Sequence, residues 1–259
     1  MKKYRIDKSK NIGNVIFVVE GGRPDTGGTE LRLLKKIFSD IFCYEVRELR
    51  RGCDEFIGYG DNPYSRVFAL NLPKNQLTEL TDETIDELFC RLKADFDIKP
   101  EDCPIFFLYD RDFKSYRPNG LRRPYVRRYT DPYGDAEGNQ GQLLLSYPAV
   151  ESYLLSCIQE DVFQQSCLLG RDLKPELISI DCSEESIESE DHLINAVVEM
   201  DKGLAAFGID AYDLDNLAPT LLGVYDGQQQ KYATDQKFSL LSLISMALLE
   251  LGVIVEYED

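Results

Sequence analysis

A chain of 259 residues is long enough for one large domain, or a domain with an appendage, and can bury a substantial core. Its 43% hydrophobic and 29% charged residues, with 18 Gly and 11 Pro, exclude collagen-like, coiled-coil and wholly disordered classes. With 29 Lys plus Arg against 46 Asp plus Glu, the net charge of -17 repels polyphosphate and anionic membrane, so any contact with nucleic acid has to be local.

Val15 to Val19 is a continuous apolar, β-branched run ending at Glu20, the pattern of a strand buried on both faces. Gly21 to Gly28 holds four Gly and a Pro and predicts a loop. It lacks the Gly-Lys-Ser/Thr of a Walker A site, so nucleotide hydrolysis is not expected here. Thr29-Glu30 then opens a helix through Leu31, Leu33, Leu34, Ile37, Phe38 and Ile41. Phe42 to Leu49 and Arg66 to Leu72 read as strands, and a helix beginning at Thr81 carries Ile85, Leu88, Phe89, Leu92 and Phe96. Ile105 to Tyr109 repeats the grammar of the first strand and stops at Asp110. Lys114 to Gln142 lacks periodicity and reads as a long loop; Leu143 to Leu145 reads as a strand and Ala149 to Ile158 as a helix. The acid-rich stretch Asp181 to Asp191 reads as a solvated connector, and Leu193 to Phe207 and Phe238 to Leu251 as C-terminal helices. The expectation is an α/β fold with a mainly parallel sheet flanked by helices over residues 1–160, and a mostly helical C-terminal region, 161–259, packed on it.

Seven Cys without a Cys-x-x-Cys pair, and a single His, His192, exclude zinc fingers and argue against a disulfide framework. No apolar stretch reaches the roughly 18 residues of a membrane span, so a reduced cytoplasmic protein without a membrane partner is expected.

In an open parallel sheet, ligands gather outside the carboxyl ends of the strands, where Glu20 and Asp110 fall. Asp112, two residues on in extended chain, points to the same side as Asp110. Three carboxylates in one crevice suit Mg²⁺ or Mn²⁺ rather than zinc. Arg111, Lys114, Arg117, Arg122, Arg123, Arg127 and Arg128 crowd into residues 111–128, with Tyr116 and Tyr125 between them. In so acidic a chain this is the natural place for phosphates, with tyrosine faces for unpaired bases.

Phe17-Val-Val-Glu-Gly21 and Tyr109-Asp-Arg-Asp-Phe113 together resemble the Toprim (topoisomerase-primase) fold, with its Glu-Gly turn and downstream Asp-x-Asp. Thr29-Glu30 and Tyr147-Pro-Ala-Val-Glu-Ser-Tyr153 resemble the overcoming-lysogenisation-defect (OLD) branch of Toprim nucleases and related anti-phage effectors. The resemblance spans about residues 14–160 and departs from the family in the ten positions separating Glu20 from Glu30. It implies a Toprim-like catalytic domain and metal-dependent phosphodiester cleavage in DNA or RNA with Mg²⁺ or Mn²⁺, one ion or two. Asp110 and Asp112 would hold metal, and Glu20 would be general acid/base or ligand. Glu151, with Glu30 or with Asp25 of the lengthened loop, would bind the second ion. The family's habits imply a separate ATPase partner, and self-association stays open. Two other readings compete. A haloacid-dehalogenase-type phosphatase would use Asp110 as nucleophile and Asp112 as acid/base, but expects Thr or Val where Phe113 and Lys114 follow. A non-catalytic Toprim-like module would keep the fold and bind without cutting.

Overall fold

The computed structural model describes residues 2–20, 28–50, 53–71, 82–111, 123–130 and 141–257. The described elements are, in order, β1 (Lys3–Ile6), β2 (Asn14–Val19), α1 (Thr29–Lys36), β3 (Glu45–Arg50), β4 (Cys53–Tyr59), β5 (Arg66–Asn71), α2 (Asp82–Phe96), β6 (Ile105–Asp110), α3 (Arg123–Thr130), β7 (Gln142–Tyr147), α4 (Glu151–Ile158), β8 (Ser166–Cys167), α5 (Lys174–Ser179), α6 (Glu190–Ala206), α7 (Ala218–Asp235), β9 (Phe238–Ser239), β10 (Leu241–Ser242), α8 (Ile244–Glu250) and β11 (Ile254–Tyr257).

Seven strands form one sheet in the order β10-β7-β6-β2-β5-β4-β3; β1 pairs with β11 and β8 with β9. The class is α/β, but the sheet is mixed rather than mainly parallel. β2 runs parallel to both β5 and β6, whereas β3–β4, β4–β5 and β7–β10 are antiparallel. Connection length explains the difference. Only residues 51–52 separate β3 from β4, and residues 60–65 separate β4 from β5, while a parallel crossover needs a dozen or more. The two continuous apolar runs, in β2 and β6, are neighbours in the parallel part, as strands covered on both faces should be.

The described chain clusters into two compact units, Asn11–Leu108 with Pro118–Leu143, and Met1–Lys10 with Tyr109–Arg117 and Leu144–Asp259. In the first, β2 and β5 pair Phe17 with Ala69 and Ile16 with Phe68, and β2 and β6 pair Phe17 with Phe106 and Val18 with Phe107. Partners across a ladder share a face and alternate along each strand, so Phe17 and Phe106 lie on one face and Phe68 and Phe107 on the other. On the first face Phe17 stacks on Phe106 at 5.3 Å and meets Phe38 at 5.8 Å, in the π-helical turn Ile37–Ile41 that continues α1. On the second, Phe68 meets Phe96 of α2 at 5.4 Å and Phe107 meets Tyr129 of α3 at 5.6 Å. A half-shielded ion pair reinforces that second face, Arg91 Nη2 of α2 lying 2.9 Å from Glu55 Oε1 of β4, whose carboxylate is buried.

The second unit is where the expected helices needed most revision. Phe238 to Leu251, expected as one helix, is β9, β10 and then α8. Gln228 of α7, wholly buried, explains the break: its Nε2 donates to the Ser239 carbonyl at 2.9 Å while the Ser239 N–H donates to its Oε1 at 3.0 Å. One side chain thus satisfies both backbone groups of Ser239, which a helix would have paired within itself. The connector expected at Asp181 to Asp191 already contains the start of α6 at Glu190. No helix among the described residues is long and apolar enough to cross a membrane.

Candidate functional site

The parallel register of β2 and β6 runs from Ile16 opposite Ile105 to Val19 opposite Leu108, and the Glu20 N–H donates to the Leu108 carbonyl at 3.2 Å. Glu20 therefore leaves β2 at the carboxyl end of the sheet, half-buried. Glu30 sits in the first turn of α1 and is buried at 8% exposure; a carboxylate there complements the exposed N–H groups of the helix start. Both residues belong to the first unit.

Asp110 and Glu151 belong to the second unit. Asp110 is the last residue of β6, and its Oδ1 accepts the Val150 N–H at 2.8 Å. Val150 is the N-cap of α4 and makes no side-chain cap of its own, so Asp110 fills that role from forty residues away. The same bond fixes the first turn of α4, and with it Glu151, at the end of β6. Gly170 makes room there. A Cβ on it would lie 2.4 Å from the Ala149 Cβ and 3.1 Å from Glu151 Oε2, so only glycine lets the chain pass under this turn.

Asp112 and Asp25 lie outside the described residues, as do Lys114, Arg117 and Arg122 of the basic stretch. Among the described residues no group of three or more His, Cys, Asp or Glu side chains is placed to hold a metal ion. The described donors that sequence reasoning singled out are all carboxylates, hard oxygen ligands of the kind Mg²⁺ or Mn²⁺ takes, and Asp110 with Glu151 amounts to an incomplete set. The only imidazole is used elsewhere: His192 Nδ1 accepts the Glu188 N–H at 3.2 Å, ahead of α6.

The basic stretch divides. Arg111, expected to face phosphate, turns inward with 2% exposure, and its guanidinium lies 5.2 Å from the centre of the Phe238 ring. The Arg111 backbone N–H donates to the Ser146 carbonyl at 2.8 Å. The alternation of an extended chain gives the reason, because neighbours Asp110 and Arg111 cannot point the same way. The Arg111 charge draws down the buried Tyr147 phenol while desolvation, the larger effect, pushes it up. Arg123 and Arg127, by contrast, are exposed on α3, four residues apart on one face, and Arg128 is half-exposed against the Tyr129 ring at 5.8 Å. The helix was hidden by its charge. Its signal is the pair Val126 and Tyr129, three residues apart and each 1% exposed.

If α3 is a phosphate-binding face, reversing Arg123 and Arg127 to Glu should weaken nucleic-acid binding about tenfold or more at 0.1 M salt and flatten its salt dependence by about two phosphate contacts. Fluorescence anisotropy with labelled single-stranded DNA and RNA over a salt series checks it; an unchanged slope would move the footprint off α3.

Comparison of the chain with family models, with curated proteins and with solved structures returns no match.

Proposed function

We propose that the chain is a Toprim-like, metal-dependent endonuclease that cleaves phosphodiester bonds in DNA or RNA, an effector of the anti-phage kind that works with a separate ATPase. The observation that supports it best is the bond from the Val150 N–H to Asp110 Oδ1, which ties the start of α4, and so the backbone at Glu151, to the end of β6 where Asp110 sits. Asp110, Asp112 and Glu151 would hold Mg²⁺ or Mn²⁺, with Glu30 or Asp25 as a further acid. When bound, such an ion offsets the charge on the phosphoryl oxygens and acidifies water. Glu20 takes a proton from the attacking water or returns one to the leaving oxygen. Arg123 and Arg127 hold the strand by its phosphates.

Cleavage of labelled DNA and RNA by the purified chain, alone and with co-expressed ATPase candidates, is expected with Mg²⁺ or Mn²⁺ and to stop with a chelator. Glu151→Gln should lower the rate about 100-fold, as loss of a charge-stabilising group does, with little change in melting temperature. Cleavage indifferent to chelator, or retained in Glu151→Gln, removes that carboxylate from the chemistry. The capping role of Asp110 favours one alternative, a Toprim-like module that binds without cutting, in which Asp110 only anchors α4.

A further inference from the structure

The second unit contains a cavity of about 230 Å³ beside the C-terminal half of α6, independent of the nuclease reading. Val198, Ala205 and Ile209 give it apolar walls, and the Tyr212 ring with Asp201 and Asp210 gives it polar ones. Asp201 is half-buried and doubly engaged, accepting O–H bonds from Tyr4 and, at 3.2 Å, from Tyr212.

The charges around the cavity are unevenly committed. Lys202 is matched by Glu199 at 2.7 Å and Asp161 at 3.1 Å. Lys2 is matched by Glu256 at 3.5 Å, and its ammonium sits 4.3 Å from the centre of the Tyr212 ring. Asp210 is exposed and has no hydrogen-bond or ion-pair partner among the described residues. The lysines are thus spoken for, and the charge left over is negative. An anionic ligand finds both lysines already matched by carboxylates, whereas a second ammonium finds the Asp210 carboxylate waiting. The position of Lys2 also demonstrates the chemistry that this ring face accepts: an ammonium on an alkyl chain.

We propose that the cavity binds a linear aliphatic diamine or polyamine, its methylenes along Val198, Ala205 and Ile209 and its ammonium groups on Asp210 and the Tyr212 face. Lys2 is then the intramolecular occupant of part of the site, displaced when the ligand binds. The volume is below the usual range of drug-sized pockets and suits so slender a ligand.

The test is isothermal titration of the full chain with 1,5-diaminopentane at about 0.15 M salt, where diffuse attraction to the acidic surface is largely screened. Saturable binding of one equivalent is expected. Asp210→Asn, at an exposed position without partners among the described residues, should weaken it about tenfold. Lys2→Met, which frees the ring face, should tighten it about threefold, the scale of an exposed cation–π contact. Heats that never saturate, or a Kd unchanged in Asp210→Asn, would overturn the site. Weaker or unaltered binding in Lys2→Met would overturn the displacement of Lys2.

Discussion

Asp110→Asn is expected, on the proposed nuclease reading, to lower metal-dependent cleavage about 1,000-fold while keeping the anchor of α4, because the amide Oδ1 still accepts the Val150 N–H but the carboxylate charge is gone. Asp110→Ala should lower both cleavage and stability. It strands the N–H at the start of α4, which costs about 1 kcal/mol on the scale of helix caps, or about 3 °C in a chain of this size. The pair separates anchoring from chemistry. Were Asp110→Asn as active as the parent chain and Asp110→Ala merely less stable, the residue would be a cap and the non-cutting module would become the better reading. Calorimetry and initial rates on the same preparations decide it.

The second large effect is on stability. Phe106→Ala should cost about 3–5 kcal/mol, since Phe106 is wholly buried and its ring stacks on Phe17, which in turn meets Phe38. That is a large part of the roughly 5–15 kcal/mol that holds a typical domain folded. The chain has no Trp and 15 Tyr, so urea unfolding is best followed by far-ultraviolet circular dichroism with tyrosine emission as a second probe. Phe106→Leu, which keeps most of the volume, should cost about 1 kcal/mol. A loss below about 1 kcal/mol for the alanine variant would show that this aromatic layer can collapse around the gap.

These two residues also mark how far sequence reasoning reaches. The strands β2 and β6 were legible because each is an unbroken apolar run closed by an acid, and few other structures tolerate such a run. Their neighbour relation follows, since strands buried on both faces seek the middle of a sheet. β4 escaped because Asp54, Glu55, Gly58 and Tyr59 dilute its pattern; Glu55 is buried only by virtue of Arg91, a partner thirty-six positions away. α7, the longest helix described, was missed for a related reason. Its run Gly227-Gln-Gln-Gln-Lys231 looks solvated, yet Gln228 is wholly buried because its amide pairs with the backbone of β9. The legible signal was Pro219 near the helix start followed by Leu221, Val224 and Tyr225. From Phe238 to Leu251 the opposite fault operated. Leu240, Leu241, Leu243 and Ile244 are all buried, so the apolar pattern carries no period with which to tell short strands from helix. In the candidate site, the positions of Glu20 and Asp110 at strand ends were readable from the acids that close the runs. The capping of Val150 by Asp110 was not, because nothing local to either residue encodes it.

The pairing of β1 with β11, Lys3 opposite Tyr257 through Ile6 opposite Ile254, joins the first described strand to the last. During synthesis the ribosome delivers β1 some 250 residues before its partner, so Lys3–Ile6 spends nearly the whole of translation as an unpaired edge. Asn11–Leu108 can begin to build its core while the chain is still being made, but the unit that contains Asp110, Glu151 and the Asp201 cavity cannot complete its β1–β11 pair until Ile254–Tyr257 has been made. Nascent chains stalled before Ile254 should therefore resist protease over much of Asn11–Leu108 and remain sensitive at β1.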